Sequence, residues 1–280
     1  MSSDRLIYLP LGGAGEIGMN CYVYGYGPKD RERYIVVDLG VTFPDMESSP
    51  GVDLIFPDIA WLAERADRID GIFITHAHED HVGAVAHLFP KLDAPIYARA
   101  FTAHIAGLKF DEHGLDRRNI HTVSAFPEVN KVGPFTVGFM PISHSIPESS
   151  ALIIDSPAGR VVHSGDFKID ETPGVGEPFD KAAWAEMAKD GVKVLVCDST
   201  NVFSPVAGRS ESTVGPEIEK LVASATGMVV ATTFASNIAR VKTLAEAGSR
   251  AGRSIVLLGR AMKRMISAGV ETGILSDFPK

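Results

Sequence analysis

The stretch Thr75-His76-Ala77-His78-Glu79-Asp80-His81 places three imidazoles and the carboxylate of Asp80 within six positions. Histidine and carboxylate at that density are the ligand set expected for zinc or a similar divalent cation. A polar loop with coincidental histidines is the alternative, and it explains a single histidine far better than it explains His-x-His-x-Asp-His. The motif follows Gly71-Ile72-Phe73-Ile74, a short apolar run of β-branched and aromatic residues that reads as a buried strand. The ligands therefore hang from a strand end, where a rigid scaffold can aim a loop.

Other strand ends carry matching chemistry. The alternating stretch 119–141 delivers His144, and the run Arg160 to His163 leads into Ser164-Gly165-Asp166. Residues 34–38 form a strand ending in Asp38, which either supports the ligands from behind by hydrogen bonding or serves as a turn residue. His76, His78, Asp80, His81, His144 and Asp166 are thus the candidate metal ligands. Two such clusters sharing one carboxylate can hold two divalent ions roughly 3.5–4 Å apart, bridge a water of lowered pKa and clamp an in-line displacement at phosphorus. His163 reads as a structural strand residue, and His104 and His113 as solvated ones.

Gly13, Gly15 and Gly18 satisfy G-x-G-x-x-G, and Asp38 lies twenty residues past Gly18, as a dinucleotide site would require. That fingerprint needs a helix after the glycines, with the pyrophosphate on its N-terminus. Here the glycines lead into Cys21-Tyr22-Val23-Tyr24, a strand, and then the turn Gly25-Tyr26-Gly27-Pro28. The pattern is a turn between strands, and no nucleotide cofactor is expected.

The elements that must position these residues alternate along the chain. Strands are expected at 5–11, 95–98 and 192–198, with a hairpin of 151–155 and 160–163 turning at Pro157-Ala158-Gly159. Helices are expected at 57–67, from 81 to 89 with a break at Pro90, at 101–112 and at 180–190. A connector rich in Ser, Gly, Pro and Asn spans 199–216. Beyond it, helix 217–225, strand 228–233, helix 237–247, strand 254–258 and helix 260–268 make βαβ-type units of a parallel sheet. Two or three strands cannot cover both faces of a doubly wound sheet, so this second domain is expected to be cut short at Lys280. The expected domains are 1–203 and 204–280.

With 280 residues, 45% hydrophobic and 22% charged, the chain is an ordinary globular protein. Its net charge of −8 argues weakly against nucleic acid, but the charge is unevenly spread. Residues 201–280 hold ten Lys/Arg against six Asp/Glu, and residues 1–200 hold 17 against 29. An acidic first part suits cation binding, and a basic second part could meet phosphate. No apolar stretch approaches the roughly 18 residues of a membrane span, and Met1-Ser2-Ser3-Asp4-Arg5 opens no secretory signal. Cys21 and Cys197 sit in different apolar runs without metal spacing and read as buried hydrophobes, so a cytoplasmic location is expected.

The order His76-x-His78-x-Asp80-His81, then His144, then Asp166, resembles the metallo-β-lactamase superfamily. Leu11-Gly-Gly-Ala-Gly-Glu-Ile-Gly18 with Asn20, His144-Ser-Ile-Pro147, Gly165-Asp-Phe-Lys168, Asp198-Ser-Thr-Asn201 and Phe234-Ala-Ser-Asn237 resemble the ribonuclease J family of the β-CASP branch. The similarity runs through essentially the whole chain. It implies an α/β (α+β) sandwich of the metallo-β-lactamase type, four layers with flanking helices and the metals at the rim, plus a partial β-CASP domain forming an RNA cleft. By position, His76, His78 and His144 would hold one zinc, Asp80 and His81 the second, and Asp166 would bridge. Asp80 and Asp198 are the residues implied in catalysis. Asp198 matches the first acidic motif of the β-CASP domain, and Asp38 the Asp near the metal-bearing loop. Ser236, Asn237 and Arg260 are candidates for phosphate contact by analogy and by their place at strand-to-helix turns; helix capping and a solvated Arg explain them equally well.

The family degrades RNA from a 5′-monophosphate end and also cuts internally, so the resemblance implies a two-zinc ribonuclease, homo-oligomeric at full length. The family pattern also requires two later histidines, and none follows His163. The chain is therefore expected to be an N-terminal portion, binding the first zinc better than the second and turning over RNA weakly or not at all. A small-molecule metallo-hydrolase of thioesterase or lactonase type is the alternative enzyme. The βαβ units after residue 205 count against it. A truncated RNA-binding chain without turnover is the non-catalytic alternative.

Overall fold

A computed structural model of the chain describes residues 4–45, 47 and 49–279. Strands β1 (Arg5–Gly12), β2 (Cys21–Gly27) and β3 (Arg33–Val37) pair antiparallel, and β4 (Ile69–Ile74), β5 (Ile96–Ala98) and β6 (Ile120–Thr122) extend the sheet in parallel. The six strands lie in sequential order. Parallel neighbours require crossovers. These are α1 (Ala60–Ala63), the pair α2 (Glu79–Val82) and α3 (Val85–Leu92), and α4 (Ala100–Glu112). The second sheet is a meander of β7 (Val129–Val132), β8 (Phe135–Pro141), β9 (Ser150–Ser156) and β10 (Gly159–His163). Strand β11 (Val194–Val196) joins β10 in parallel after α5 (Lys181–Met187).

Period-two alternation sets the layers. Tyr22, Tyr24, Ile35, Val37 and Phe73 of the first sheet meet Val137, Phe139, Leu152 and Ile154 of the second. The intervening residues Val23, Val36, Ile72, Ile74 and Ile96 point the other way, onto Leu62, Leu88, Phe89, Phe101 and Phe110 of the helices. The outer face of the second sheet packs Met140, Ile153 and Val162 against Met187 and Trp184 of α5. The result is a helix–sheet–sheet–helix sandwich. Three further helices follow: α6 (Gly215–Ser224), α7 (Ile238–Arg250) and α8 (Arg260–Glu271). Ile238, Val241, Met265 and Ile266 attach α7 and α8 to the large helix-side core.

Several expectations need correction. The helix expected over 57–67 is only α1 and a single 3₁₀ turn at Ala66–Arg68. The helix from 81 to 89 is two helices, and Pro90 lies inside α3 rather than ending it. Helix 180–190 stops at Met187, and strand 192–198 shrinks to three residues at the sheet edge. Cys197 lies past that edge strand and is exposed, whereas Cys21 is buried. Residues 228–233 and 254–258 form no strand. Their β-branched composition is right, but strand formation needs a ladder partner, and the side chains of Met228, Val230, Val256 and Leu258 are exposed instead.

Candidate metal centre

The 75–81 loop is held by backbone hydrogen bonds on the side of the 38–41 segment. Leu39 N donates to His81 O (2.8 Å), Val41 N to Glu79 O (3.0 Å) and Asn20 N to Asp80 O (3.0 Å). The approach is so close that a Cβ on Gly40 would sit 1.6 Å from Asp80 O, so only glycine fits there. Asp38 adopts φ +63°, a left-handed conformation that Asp tolerates better than most residues. That turn buries its carboxylate behind the histidines. Asp38 Oδ1 accepts from Thr75 N (2.7 Å), and its Oδ2 pairs with His81 Nδ1 (2.7 Å) and accepts from Thr75 Oγ1 (2.9 Å).

With its Nδ1 so engaged, His81 presents Nε2 to the site, 3.3 Å from Asp166 Oδ1 and 3.5 Å from Asp80 Oδ2. His76 Nδ1 lies 3.0 Å from Thr75 Oγ1, which turns its Nε2 inward, 3.0 Å from His78 Nδ1. His144 Nε2, brought in from the end of β8, is 3.2 Å from the same His78 nitrogen. Zinc–nitrogen bonds of about 2.0–2.1 Å at tetrahedral angles put two ligand nitrogens roughly 3.3 Å apart. The histidines thus converge at the spacing a shared cation would impose.

Among the described residues, two donor sets meet within 4.8 Å: His76, His78 and His144, and His76, His81 and Asp166. The first is the trio expected from the sequence. The second set brings His76 close to His81 and Asp166. Asp80 adjoins it, its Oδ2 3.5 Å from His81 Nε2 and 3.4 Å from Asn20 Nδ2, and also lines the neighbouring cavity.

Electrostatics agree with a cation centre. Burial, with His81 and the other two imidazoles adding to it, holds His76 well below its ordinary pKa. Burial pushes His78 down to about 3 and His144 to about 4. Neutral imidazoles are the ligating form. For His81, burial is outweighed by Asp38 and Asp166, and its pKa is raised well above the ordinary value. A cation entering this set replaces that proton. Burial raises Asp80, against the pull of His81 and with a further push from Asp166.

Beside the donors lies a cavity of about 280 Å³ lined by Asn20, Tyr22, Asp80, His163, Asp166 and Asp198, with the glycine loop 13–18 on its rim. Asp198 N donates to Ser164 Oγ (2.9 Å), and Asp198 Oδ1 accepts from Thr200 N (2.7 Å). No helix follows the glycines, so the loop is the turn the sequence indicated.

Residues 14–199 match the family model of the metallo-beta-lactamase superfamily. The chain belongs to that superfamily. A crystal structure of a protein of unknown function from Enterococcus faecalis V583 shares the fold, with a TM-score of 0.61 and 17% identity over 94% of this chain and 67% of that one. The superfamily and the donor set together mark a divalent-metal centre. Residues 226–279 match the family model "Ribonuclease J, beta-CASP domain". Among curated relatives, a ribonuclease J from Sinorhizobium meliloti is 44% identical over 97% of this chain and 48% of its own length. One from Helicobacter pylori is 42% identical over 95% of this chain and 38% of its own, and one from Thermus thermophilus is 35% identical over 97% and 48%. The chain spans about half the length, or less, of these relatives.

Ser236, Asn237 and Arg260 belong neither to the donor sets nor to the lining of the adjacent cavity. Asn237 caps α7, its Oδ1 accepting from Arg240 N (3.0 Å). Arg260 lines an open basic groove of about 550 Å³ with Lys263 and Arg264. Sequence reasoning missed Thr75, which joins Asp38 to His76, and Ser143, which ties the His144 loop to the Asp166 loop. Each directly precedes a histidine, and that adjacency was the only signal.

Proposed function

We propose that the chain forms the metal-bearing part of a zinc-dependent ribonuclease that hydrolyses RNA phosphodiester bonds, exonucleolytically from a 5′-monophosphate and also internally. The observation that carries this reading is the presence, in one chain, of two donor sets sharing His76 and a segment matching the ribonuclease J β-CASP domain. The cavity beside the donors is walled by Asp80, Asp166 and Asp198, a charge that repels RNA phosphate until cations offset it. When bound, two divalent cations supply Lewis acidity, an activated water and a clamp on the phosphoryl oxygens.

The protein's own groups do the positioning. His76, His78 and His144 would hold one ion and Asp80 and His81 the other, with Asp166 between them; Asp80 Oδ2 and Asp166 Oδ1 lie 3.5 and 3.3 Å from His81 Nε2. Asp38 fixes the ring of His81, and through Thr75 that of His76, so that both offer Nε2. Asp80 Oδ2, raised by burial and open to the cavity, is placed to take a proton. Asp198, which lines the cavity, would orient a later histidine of the full-length protein. Ser236, Asn237 and Arg260 lie along α7 and α8, where Lys263 and Arg264 add charge for an RNA backbone. Among the described residues no helix is long and apolar enough to cross a membrane. A cytoplasmic location is part of the same proposal. Homo-oligomerisation of the full-length protein belongs to the same proposal and is tested by sedimentation.

The decisive experiment compares the zinc-loaded full-length protein with its His76→Ala variant on 5′-monophosphorylated RNA, because the 280-residue chain alone is expected to turn over RNA weakly or not at all. Cleavage leaving 5′-phosphate and 3′-hydroxyl ends, lost in the variant and with a chelator, is expected. Hydrolysis of a thioester or lactone without RNA cleavage would overturn the reading in favour of a small-molecule hydrolase.

A further inference from the structure

The segment after Asp166 has a second anchor that the metal chemistry does not use. Four residues downstream, Asp170 is 5% exposed and belongs to neither cation donor set. Its backbone and side chain make contacts in two directions. Towards the metal centre, Asp170 N donates to Ser143 Oγ (2.9 Å), Ser143 Oγ donates to Lys168 O (2.6 Å), and Lys168 N donates to Ser143 O (2.8 Å). Ser143 adjoins His144, so these three hydrogen bonds stitch the loops bearing His144 and Asp166 together. A further strut runs from Ser149 Oγ to Asp166 O (3.2 Å).

Away from the metal centre, the Asp170 carboxylate accepts from Thr172 N (2.9 Å) and from Glu211 N (2.9 Å). Glu211 lies shortly before α6 and is gripped through both carboxylate oxygens by the Arg240 guanidinium, Nη2 to Oε2 at 3.0 Å. Arg240 sits in the first turn of α7, where Asn237 caps its backbone. Ser210 Oγ closes the same joint by donating to Thr172 O (2.9 Å). One continuous set of hydrogen bonds thus runs from α7 through Arg240, Glu211 and Asp170 to Ser143 and the two metal-bearing loops. A carboxylate is required at its centre, since it accepts from two backbone amides at once, and such charge-assisted bonds are stronger than neutral ones.

We propose that Asp170 is a positioning residue that sets the geometry of His144 and Asp166 and ties it to helix α7. The proposal rests on the metal-centre reading of those two residues and not on RNA as substrate. A group holding two ligand loops in register behaves like the outer hydrogen-bond partners of metal ligands, whose loss typically weakens metal binding by about 10–100-fold.

The test uses cobalt(II) in the complete 280-residue chain, because its visible d–d bands report ligand geometry and its titration gives an affinity. Asp170→Asn keeps the size and loses the anionic acceptor. It is expected to weaken cobalt binding about tenfold, the lower end of the range for such partners, and to change the band pattern. Glu211→Gln, further from the donors, should shift both readouts in the same direction, and the double variant should be no weaker than Asp170→Asn alone, as expected for residues in one network. Leu92→Ala, a buried change in the helix layer, serves as a control that destabilises the fold while leaving the bands in place. Unchanged affinity and bands in Asp170→Asn, or additive effects in the double variant, would overturn the latch. Absence of cobalt binding by the unaltered chain would overturn the metal-centre reading and the latch with it. Absence of RNA cleavage by the full-length protein, with the Asp170 network effects as expected, would overturn only the ribonuclease assignment.

Discussion

The apolar run 69–74 and the runs 228–233 and 254–258 have similar β-type composition, yet they fold differently. In the first region, β4 lies between β3 and β5, buried on both faces, and the loop that leaves it is fixed by the 38–41 segment. In the second, the apolar runs 228–233 and 254–258 find no ladder, and Val230 is 79% exposed. Composition proposes a strand, but neighbours decide it. The same neighbours give the metal loop its precision, because a loop hung between two rigid strands has few conformations left to lose.

That contrast can be broken or sharpened by measurement. The largest effect is expected from His76→Ala, which removes the imidazole shared by both donor sets. Zinc retained after dialysis, read by atomic absorption, should fall beyond the roughly 10–100-fold typical of outer partners. Retention of two zincs per chain would contradict the shared-ligand geometry. In the sheet interface, Phe73→Ala should cost about 3–5 kcal/mol in urea unfolding, as large-to-small changes in a packed core do. Asp38→Asn should weaken zinc binding by about 10–100-fold with the fold retained in circular dichroism, since His81 and Thr75 both lean on its carboxylate.

A pH experiment isolates His163, buried and within 2.9 Å of Tyr24 Oη through its Nδ1. Burial pushes its pKa down to about 4 in the folded protein, against roughly 6.5 in an unfolded chain. Between those values the unfolded state binds a proton that the folded state does not. The contribution of His163 is therefore fully present above roughly pH 6.5 and is lost as pH falls towards about 4. Its share of the slope is at most about 1.4 kcal/mol per pH unit, and His163→Gln should flatten the urea-derived stability profile by that share. The smallest effect is expected at Val230→Ser, within about 0.5 kcal/mol for a surface site. A loss approaching that of Phe73→Ala would mean that residues 226–258 are as well packed as β4.

Most of the strands of the sandwich were legible because their signals are local. Alternation marks the stretch that ends in β8, runs of β-branched and aromatic residues mark β2 and β3, and a Pro-Ala-Gly turn marks the β9–β10 hairpin. The shortfalls lie where local preference competes with context. Pro90 is accommodated inside α3, and β11 is a three-residue edge strand from which Cys197 has already emerged. At the metal centre, strand-end placement gave the six candidate ligands, and the family resemblance grouped His76, His78 and His144. The approach of His76 to His81 and Asp166 was not legible, because it depends on Thr75 holding the His76 ring and on how the loops pack.

By itself the sequence determined the chemistry available: imidazoles and carboxylates at strand ends, a glycine turn without a helix, and the family those motifs belong to. Ligand identity and order are properties of residue type and spacing, which need no fold to be read. Only the tertiary structure decided that Asp38 turns its carboxylate behind His81, that Asp80 faces the cavity, and that Asp170 joins both metal loops to α7. Those are contacts between residues far apart in the chain, and their geometry is set by how two sheets pack rather than by any local pattern.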